Sequence, residues 1–260
     1  MNPIAVFVLL SSVSASEIRI ERNLPYAAGV AADPARRLDL VVPKSTSPAP
    51  LLIWIGGGAW AYVDKDQEMP LARAFAREGI AVALIQHRLS RSDWSLPEGS
   101  AEGVEHPAHA EDVALAIRWL KDHAGRYRVN TKHMVLGGYS SGAHLSALIA
   151  LDPTYLSAVG LKPSDLSGVV PVAGAYDITA WRAASPTVHV AGATVPMLLI
   201  SERATYAYTT LLEKALRAAE VSNVDVLHVF GEDHGSLARS LAAQPSRYRD
   251  IVCEFVRSVG

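Results

Sequence analysis

A serine set between glycines, a run of three glycines and a late histidine are the residues of this chain whose types and spacing point to chemistry. Gly138-Tyr139-Ser140-Ser141-Gly142 fits G-x-S-x-G, where the apolar run "HMVLGG" passes into the helical pattern "SGAHLSALIAL". A strand-to-helix turn this tight needs small flanking residues, and it strains the serine backbone so that the hydroxyl stands clear of the sheet. The chemistry is nucleophilic attack by Ser140, with the Ser141 backbone N–H at the helix start offered to the developing oxyanion. The stretch "IWIGGGAW", Ile53 to Trp60, leaves glycine N–H groups approachable after a buried strand, and Gly57 and Gly58 complete an oxyanion hole with Ser141. A phosphate cradle is the competing use of such a loop, but no G-x-x-x-x-G-K-[ST] pattern accompanies it. The general base then has to come from elsewhere in the chain. Among nine histidines, His234 in "HVFGEDHGSLARS" follows the last strand pattern and precedes the last helical one. His106, His109, His144 and His189 are worse placed, and His144, one helical turn after Ser140, is expected to pack against the sheet.

These residues need a scaffold, and the sequence alternates short β-rich runs with longer helical patterns, the rhythm of a parallel sheet with crossover helices. "EIRIERN" and "RRLDLVVP" read as a leading strand pair; "PLLIWI", "IAVALI" and "HMVLGG" read as buried strands; "GVVPVAGAYD", "VPMLLIS" and "VDVLHVF" supply three more. Helical patterns run through "QEMPLARAFAREG", with Gly79 as the stop, and "HAEDVALAIRWLKDHAGRY". Two more cover Tyr206 to Glu220 and Gly235 to Gly260. Continuous apolar strands belong where both sheet faces are covered, so the expected fold is one α/β domain, residues 16–260, with a mostly parallel sheet and helices on both faces. The irregular stretches "SRSDWSLPEGSAEGVEHP" and "YDITAWRAASPTVHVAGAT" belong above the strand ends, where ligands enter.

Composition narrows the partners. With 260 residues, half of them hydrophobic, the chain can bury a large core, and a net charge of -2 offers no basic field for nucleic acid. The single cysteine, Cys253, excludes an internal disulfide and a cysteine-based zinc site, and it lies in the apolar pattern "IVCEFV" as a packed small side chain. Residues 1–15 carry an apolar run, Ile4 to Leu10, followed by Val13-Ser14-Ala15, and read as a cleaved signal peptide that sends the chain to a periplasm or the exterior. That run lacks a preceding Lys or Arg and is far too short to span a bilayer as a helix.

Taken together, "GGGAW" (56–60), "HRLS" (87–90), "HPAHAEDVALAIRWL" (106–120), "GGYSSGAHLSAL" (137–148), "LDPTYLSAVGL" (151–161), "VAGAYDI" (172–178) and "GEDHGS" (231–236) resemble α/β-hydrolases of the esterase/lipase class. The branch is the one with an H-G-G-G-W-type loop, and the chain is similar to bacterial carboxylesterases and kynurenine-formamidase-like hydrolases. The resemblance implies a serine hydrolase that cleaves a small carboxylic ester, or an arylformamide, through an acyl-enzyme on Ser140. It implies no metal and no organic cofactor. Trp60, Tyr62, Trp94, Tyr139 and Trp181 are candidates to line the pocket.

Two positions depart from the family. Ile55 stands where the glycine loop normally begins with a bracing histidine, and Ala204 stands where the family carries the triad aspartate. A triad acid fixes the base's tautomer and stabilises the imidazolium. Glu202, two residues before Ala204, and Asp177, after the preceding strand, are the candidate substitutes, whereas Asp233 is too close in sequence to His234 to orient its ring. A non-catalytic hydrolase-fold binding protein is the alternative reading. A carboxylate within reach of His234 favours the enzyme.

Overall fold

The continuous apolar runs form the centre of an eight-stranded sheet in the computed structural model, which describes residues 17–27, 33–91 and 103–260. In chain order the elements are β1 (Ile18–Pro25), β2 (Arg37–Pro43), β3 (Ala49–Ile55), α1 (Met69–Arg77), β4 (Ala81–Ile85), α2 (Ala108–Tyr127), β5 (Val129–Tyr139) and α3 (Ser141–Leu151). They continue with α4 (Pro153–Ala158), β6 (Gly168–Val172), β7 (Met197–Glu202), α5 (Tyr206–Ala218), β8 (Val224–Val229), α6 (His234–Ala242) and α7 (Arg247–Ser258). The strand order is β1-β2-β4-β3-β5-β6-β7-β8, with β2 antiparallel to both neighbours and every pair from β4 to β8 parallel. The expected α/β architecture is therefore present, and the parallel strands send their C-terminal ends to one edge, where the chemistry-bearing loops gather.

Side-chain alternation sorts the core into two layers. Leu51, Ile53 and Ile55 of β3 face one layer with Val113 and Ile117 of α2, Leu145 and Leu148 of α3, and Leu212 and Leu216 of α5. Leu52 and Trp54 face the other, with Leu71 and Phe75 of α1, Leu237 and Leu241 of α6, and Val252 and Phe255 of α7. Trp54, Phe75 and the β3 aliphatic residues Leu51, Leu52, Ile53 and Ile55 are fully buried, and each contributes about 1.5–3 kcal/mol to folding on an area basis. The strand that ends at the glycine loop is thus among the most firmly held parts of the molecule. Cys253 is buried in the second layer, and that burial pushes its thiol up to about 12.

Three readings need correction. The helix expected from Gly235 to Gly260 is two helices, α6 and α7, because Pro245 lacks the N–H a helix interior needs and Ser246 starts a new helix by accepting from the Arg249 N–H at 3.1 Å. Helix α4 was hidden in "LDPTYLSAVGL"; Asp152 caps it by accepting from the Thr154 N–H at 3.0 Å, and Pro153 occupies its first turn. The segment after β6 is not wholly irregular, since residues 179–184 and 186–188 form short 3-10 turns. The proposed signal peptide, and Trp94 with most of its loop, lie outside the described residues.

Candidate active site

Ser140 follows the last residue of β5 with φ +54° and ψ −114°, a conformation sparsely populated for any residue but glycine. Its N–H donates to the Val172 carbonyl at 2.9 Å, which ties the turn to β6. The flanking glycines are required by space. A Cβ on Gly138 would lie 2.5 Å from the Gly142 carbonyl carbon, and one on Gly142 would lie 2.1 Å from the Ile55 carbonyl oxygen. The turn, the start of α3 and the end of β3 therefore touch backbone to backbone, and only glycine fits between them.

His234 is the first residue of α6, a helix begun by Asp233, whose carboxylate accepts from the Ser236 N–H at 2.6 Å. That helix start brings the imidazole Nε2 to 3.0 Å from Ser140 Oγ. Its other nitrogen, Nδ1, lies 3.1 Å from Glu202 Oε1. With a carboxylate at Nδ1, that nitrogen carries the proton and donates it, leaving Nε2 to accept from the Ser140 hydroxyl. Ser140, His234 and Glu202 thus form one hydrogen-bonded line across the C-terminal ends of β5, β8 and β7.

Glu202 is the last residue of β7, and its side chain is 1% exposed. Besides His234 it accepts from the Ala204 N–H and from the Thr205 hydroxyl at 3.1 Å. Burial pushes this carboxyl up, but those two donors and His234 outweigh it and hold the group below its ordinary range. It is ionised at neutral pH. Asp177, the other candidate acid, is corrected: it lies exposed beyond the end of β6 and makes no bond to His234, because its loop carries the side chain outward. Asp233 serves α6 as its cap and not the imidazole, as its adjacency to His234 suggested.

The glycine loop runs beside Ser140. A Cβ on Gly57 would lie 3.2 Å from the Ser140 Cβ, so its backbone is in contact with the serine. Gly58 has φ +141°, and its carbonyl accepts from the Ala61 and Tyr62 N–H groups at 3.0 and 2.7 Å, closing a turn that a side chain would break. Ser141 is buried as the first residue of α3, where helix N–H groups lack intrahelical acceptors. In place of the family's loop histidine, Ile55 points into the apolar core, and the polar support comes from Glu68. Glu68 Oε2 accepts from the Trp54 indole N–H at 3.0 Å, while its Oε1 occupies the space where a Cβ on Gly56 would be. Further along, Lys65 is buried with its Nζ 3.1 Å from the buried Asp39, anchoring this segment to β2. The acidic type of Glu68 in "KDQE" gives no hint of a place beneath the loop.

A cavity of about 460 Å³ opens next to the loop and α3, walled by Trp60, Tyr62, Trp181, His106, His109 and His144 among others. Three of the five aromatic candidates are present in it, but Tyr139 is not: it faces the second core layer. Burial lowers His109 to about 3 and His144 to about 4, and it lowers His106 as well, so this wall carries neutral imidazoles at neutral pH. His144 is buried, but its ring is held by loop residues instead of the strands, with Nε2 donating to the Ala184 carbonyl at 2.6 Å and the ring edge-on to Trp60. The cavity reaches Ala59 of the loop and His144 and Leu145 of α3 but is not itself lined by Ser140, His234 or Glu202, and neither is a surface depression of about 590 Å³ around Arg37, Lys65 and Gln86. Among the described residues no helix is long and apolar enough to cross a membrane.

The architecture and the sequence both have known counterparts. A truncated carbohydrate esterase from gut microbiota shares the fold with a TM-score of 0.77 at 18% identity, over 94% of this chain and 97% of that one. The "Probable carboxylic ester hydrolase LipM" of Mycobacterium tuberculosis is 34% identical over 149 residues, 55% of this chain and 31% of the relative. The kynurenine formamidase of Salmo salar is 27% identical over 157 residues, 60% of this chain and 46% of the relative. The chain therefore spans less than half the length of these two relatives. The matched stretch that matters most runs from β2 into β7, residues 38–199, and takes in the glycine loop, the serine turn and the cavity wall, ending before Glu202 and His234; over it the chain belongs to the BD-FAE family, a branch of the α/β-hydrolase esterases.

Proposed function

We propose that this protein is a carboxylic-ester hydrolase that works through an acyl-enzyme on Ser140. The observation that carries the reading is the single line from Ser140 Oγ to His234 Nε2 at 3.0 Å and from His234 Nδ1 to Glu202 at 3.1 Å. In this reading His234 takes the Ser140 proton as the oxygen attacks the ester carbonyl, and Glu202 stabilises the imidazolium that forms. The backbone N–H groups of Gly57, Gly58 and Ser141 receive the oxyanion. The imidazolium then gives its proton to the departing alkoxide, and water admitted to the same base releases the acid. The cavity beside the glycine loop, walled by Trp60, Tyr62 and Trp181, is the space offered to the substrate, whose acyl group is small in this reading.

The alternative of a non-catalytic binding protein was motivated by Ala204 and Ile55. It loses its main support because Glu202 supplies a carboxylate to His234. An arylformamide is the competing substrate for the same machinery, supported by the similarity to a kynurenine formamidase over 60% of the chain. The test is hydrolysis of p-nitrophenyl acetate and butyrate beside an N-formyl anilide, with Ser140→Ala as control. Ester turnover that disappears in Ser140→Ala is the expected result. Equal rates for both proteins would overturn the reading, and a preference for the formyl anilide would shift the substrate class. We also propose that residues 1–15 are removed on export; a secreted product whose N-terminus is still Met1 would contradict this.

A further inference from the structure

Tyr139 precedes the nucleophile by one residue, and its contacts join parts of the site that are far apart in sequence. Its hydroxyl donates to the backbone carbonyl of His234. Its ring lies 4.9 Å from the His234 ring, centroid to centroid, at a tilt of 36°. The same ring fills the space beneath the glycine loop, where a Cβ on Gly57 would come within 2.7 Å of Tyr139 Cδ1. Its backbone is fixed in turn, because Tyr139 pairs with Val172 at the end of the β5–β6 ladder.

We infer that Tyr139 is a positioning residue that holds the base and the glycine loop in register with Ser140, through its hydroxyl on the His234 carbonyl and its ring under Gly57. The inference rests on the ester-hydrolase reading, since registration of these groups matters to a rate only if they react. The physical need is clear from the base itself. His234 stands at a helix start after a loop, and its side chain is 42% exposed, so packing alone restrains it on one side only. Glu202 fixes the direction of the imidazole but not the height of the backbone that carries it. The Tyr139 hydroxyl fixes that height from the sheet, the most rigid element available. Reacting groups displaced by about 1 Å lose up to about a hundredfold in rate, and a side chain that holds one backbone carbonyl supplies part of that precision. Burial first, and then the carboxylates of Glu202, Asp233 and Glu68, raise this phenol well above its ordinary range, so it remains a donor throughout any assay range.

The test is titration with a stoichiometric p-nitrophenyl phosphonate to count competent sites, followed by kcat and KM for p-nitrophenyl acetate per titrated site for wild type, Tyr139→Phe and Tyr139→Leu, with melting curves alongside. Counting sites removes any contribution from misfolded protein. Tyr139→Phe loses only the hydroxyl and is expected to lower kcat per site about tenfold with KM within about twofold, as the loss of one anchoring hydrogen bond converts to rate. Tyr139→Leu also removes the ring under Gly57 and is expected to fall further. A merely structural side chain would lower the melting temperature and leave kcat per site unchanged. The inference is overturned if Tyr139→Phe matches wild type per site, or if its whole loss lies in KM, which would make Tyr139 a substrate contact. Absence of wild-type turnover above the Ser140→Ala control would overturn the hydrolase reading and this inference with it; Ser140-dependent turnover with an unaffected Tyr139→Phe would overturn the inference alone.

Discussion

Replacing Glu202 by glutamine tests the least expected member of the site. The carboxylate receives three donors, the His234 Nδ1–H, the Ala204 N–H and the Thr205 hydroxyl. A glutamine offers one carbonyl oxygen and one NH2 group, so at least one of those donors must face another donor. If the NH2 faces His234, the ring is driven to the tautomer with its proton on Nε2, which cannot accept from Ser140. The lost charge adds to this. At the observed 3.1 Å, and with an effective dielectric of about 20, a carboxylate stabilises an adjacent imidazolium by about 5 kcal/mol. Because the His234 side chain is 42% exposed, solvent screening reduces this to about 2–3 kcal/mol. Each 1.36 kcal/mol is a factor of ten in rate, so Glu202→Gln is expected to lower kcat by about a hundredfold. That is less than the roughly 10⁴ lost when a serine protease has its buried triad carboxylate changed to an amide. The assay is p-nitrophenyl acetate hydrolysis per titrated site, with Asp177→Asn as the parallel variant, expected to stay within about twofold of wild type. The reasoning is refuted if Glu202→Gln keeps more than about a fifth of wild-type kcat, or if Asp177→Asn loses as much.

Three further variants probe the surroundings. Ala204→Asp, which restores the family's acid in sequence, should give no gain in kcat/KM, because His234 Nδ1 is already engaged and a second carboxylate would sit beside Glu202; an increase of more than about threefold would contradict the assignment. Gly142→Ala should cost more than about 4 kcal/mol or prevent folding, since its Cβ would lie 2.1 Å from the Ile55 carbonyl oxygen; a melting temperature within a few degrees of wild type would show that the turn can open. Glu68→Gln tests linkage: burial foremost, with Asp64, raises this carboxyl despite the Trp54 hydrogen bond, so the folded state binds its proton more tightly than the unfolded state. Its contribution to stability is then full below the unfolded pKa and is lost as pH rises through the folded one. Melting curves from pH 4 to 8 should therefore show wild type falling relative to Glu68→Gln as pH rises, and a gap independent of pH would refute this.

The sequence carried the sheet, the serine turn and the place of His234 because each has a local physical signature. Both-faces-buried strands read as unbroken apolar runs, and Ser140 could be placed because its glycines answer to backbone crowding that no other residue satisfies. The break in the last helix was also legible, in "QPS", and a helix drawn across Pro245 ignores the missing N–H. Tyr139 shows a subtler signal. Val135 and Tyr139 share the parity that faces the second layer, so period-two alternation along β5 places the ring under the sheet, whereas its aromatic type alone suggested the pocket. The carboxylate that meets His234 was not legible to the same degree. Asp177 lies beyond β6 and Glu202 closes β7 at the same edge of the sheet, and what separates them is the direction each side chain takes, which contacts with other segments decide.

The shift of the acid from the loop to the strand end has a physical logic. An aspartate two residues beyond β7 would reach the imidazole from a turn, whereas Glu202 reaches it from the last rung of the β7–β8 ladder, where it pairs with Val229. The additional methylene of glutamate spans what the earlier backbone position withholds. Position 204 still contributes, though by another group: it supplies the backbone N–H that holds the Glu202 carboxylate. Any residue except proline has that N–H, so once the carboxylate resides at 202 the side chain at 204 is released from the chemistry, and an alanine there is consistent with a complete relay. A family pattern written in residue types records only where the charge is attached. The site requires that a charge arrive at Nδ1, buried and ionised, and here a longer side chain from a stiffer element delivers it.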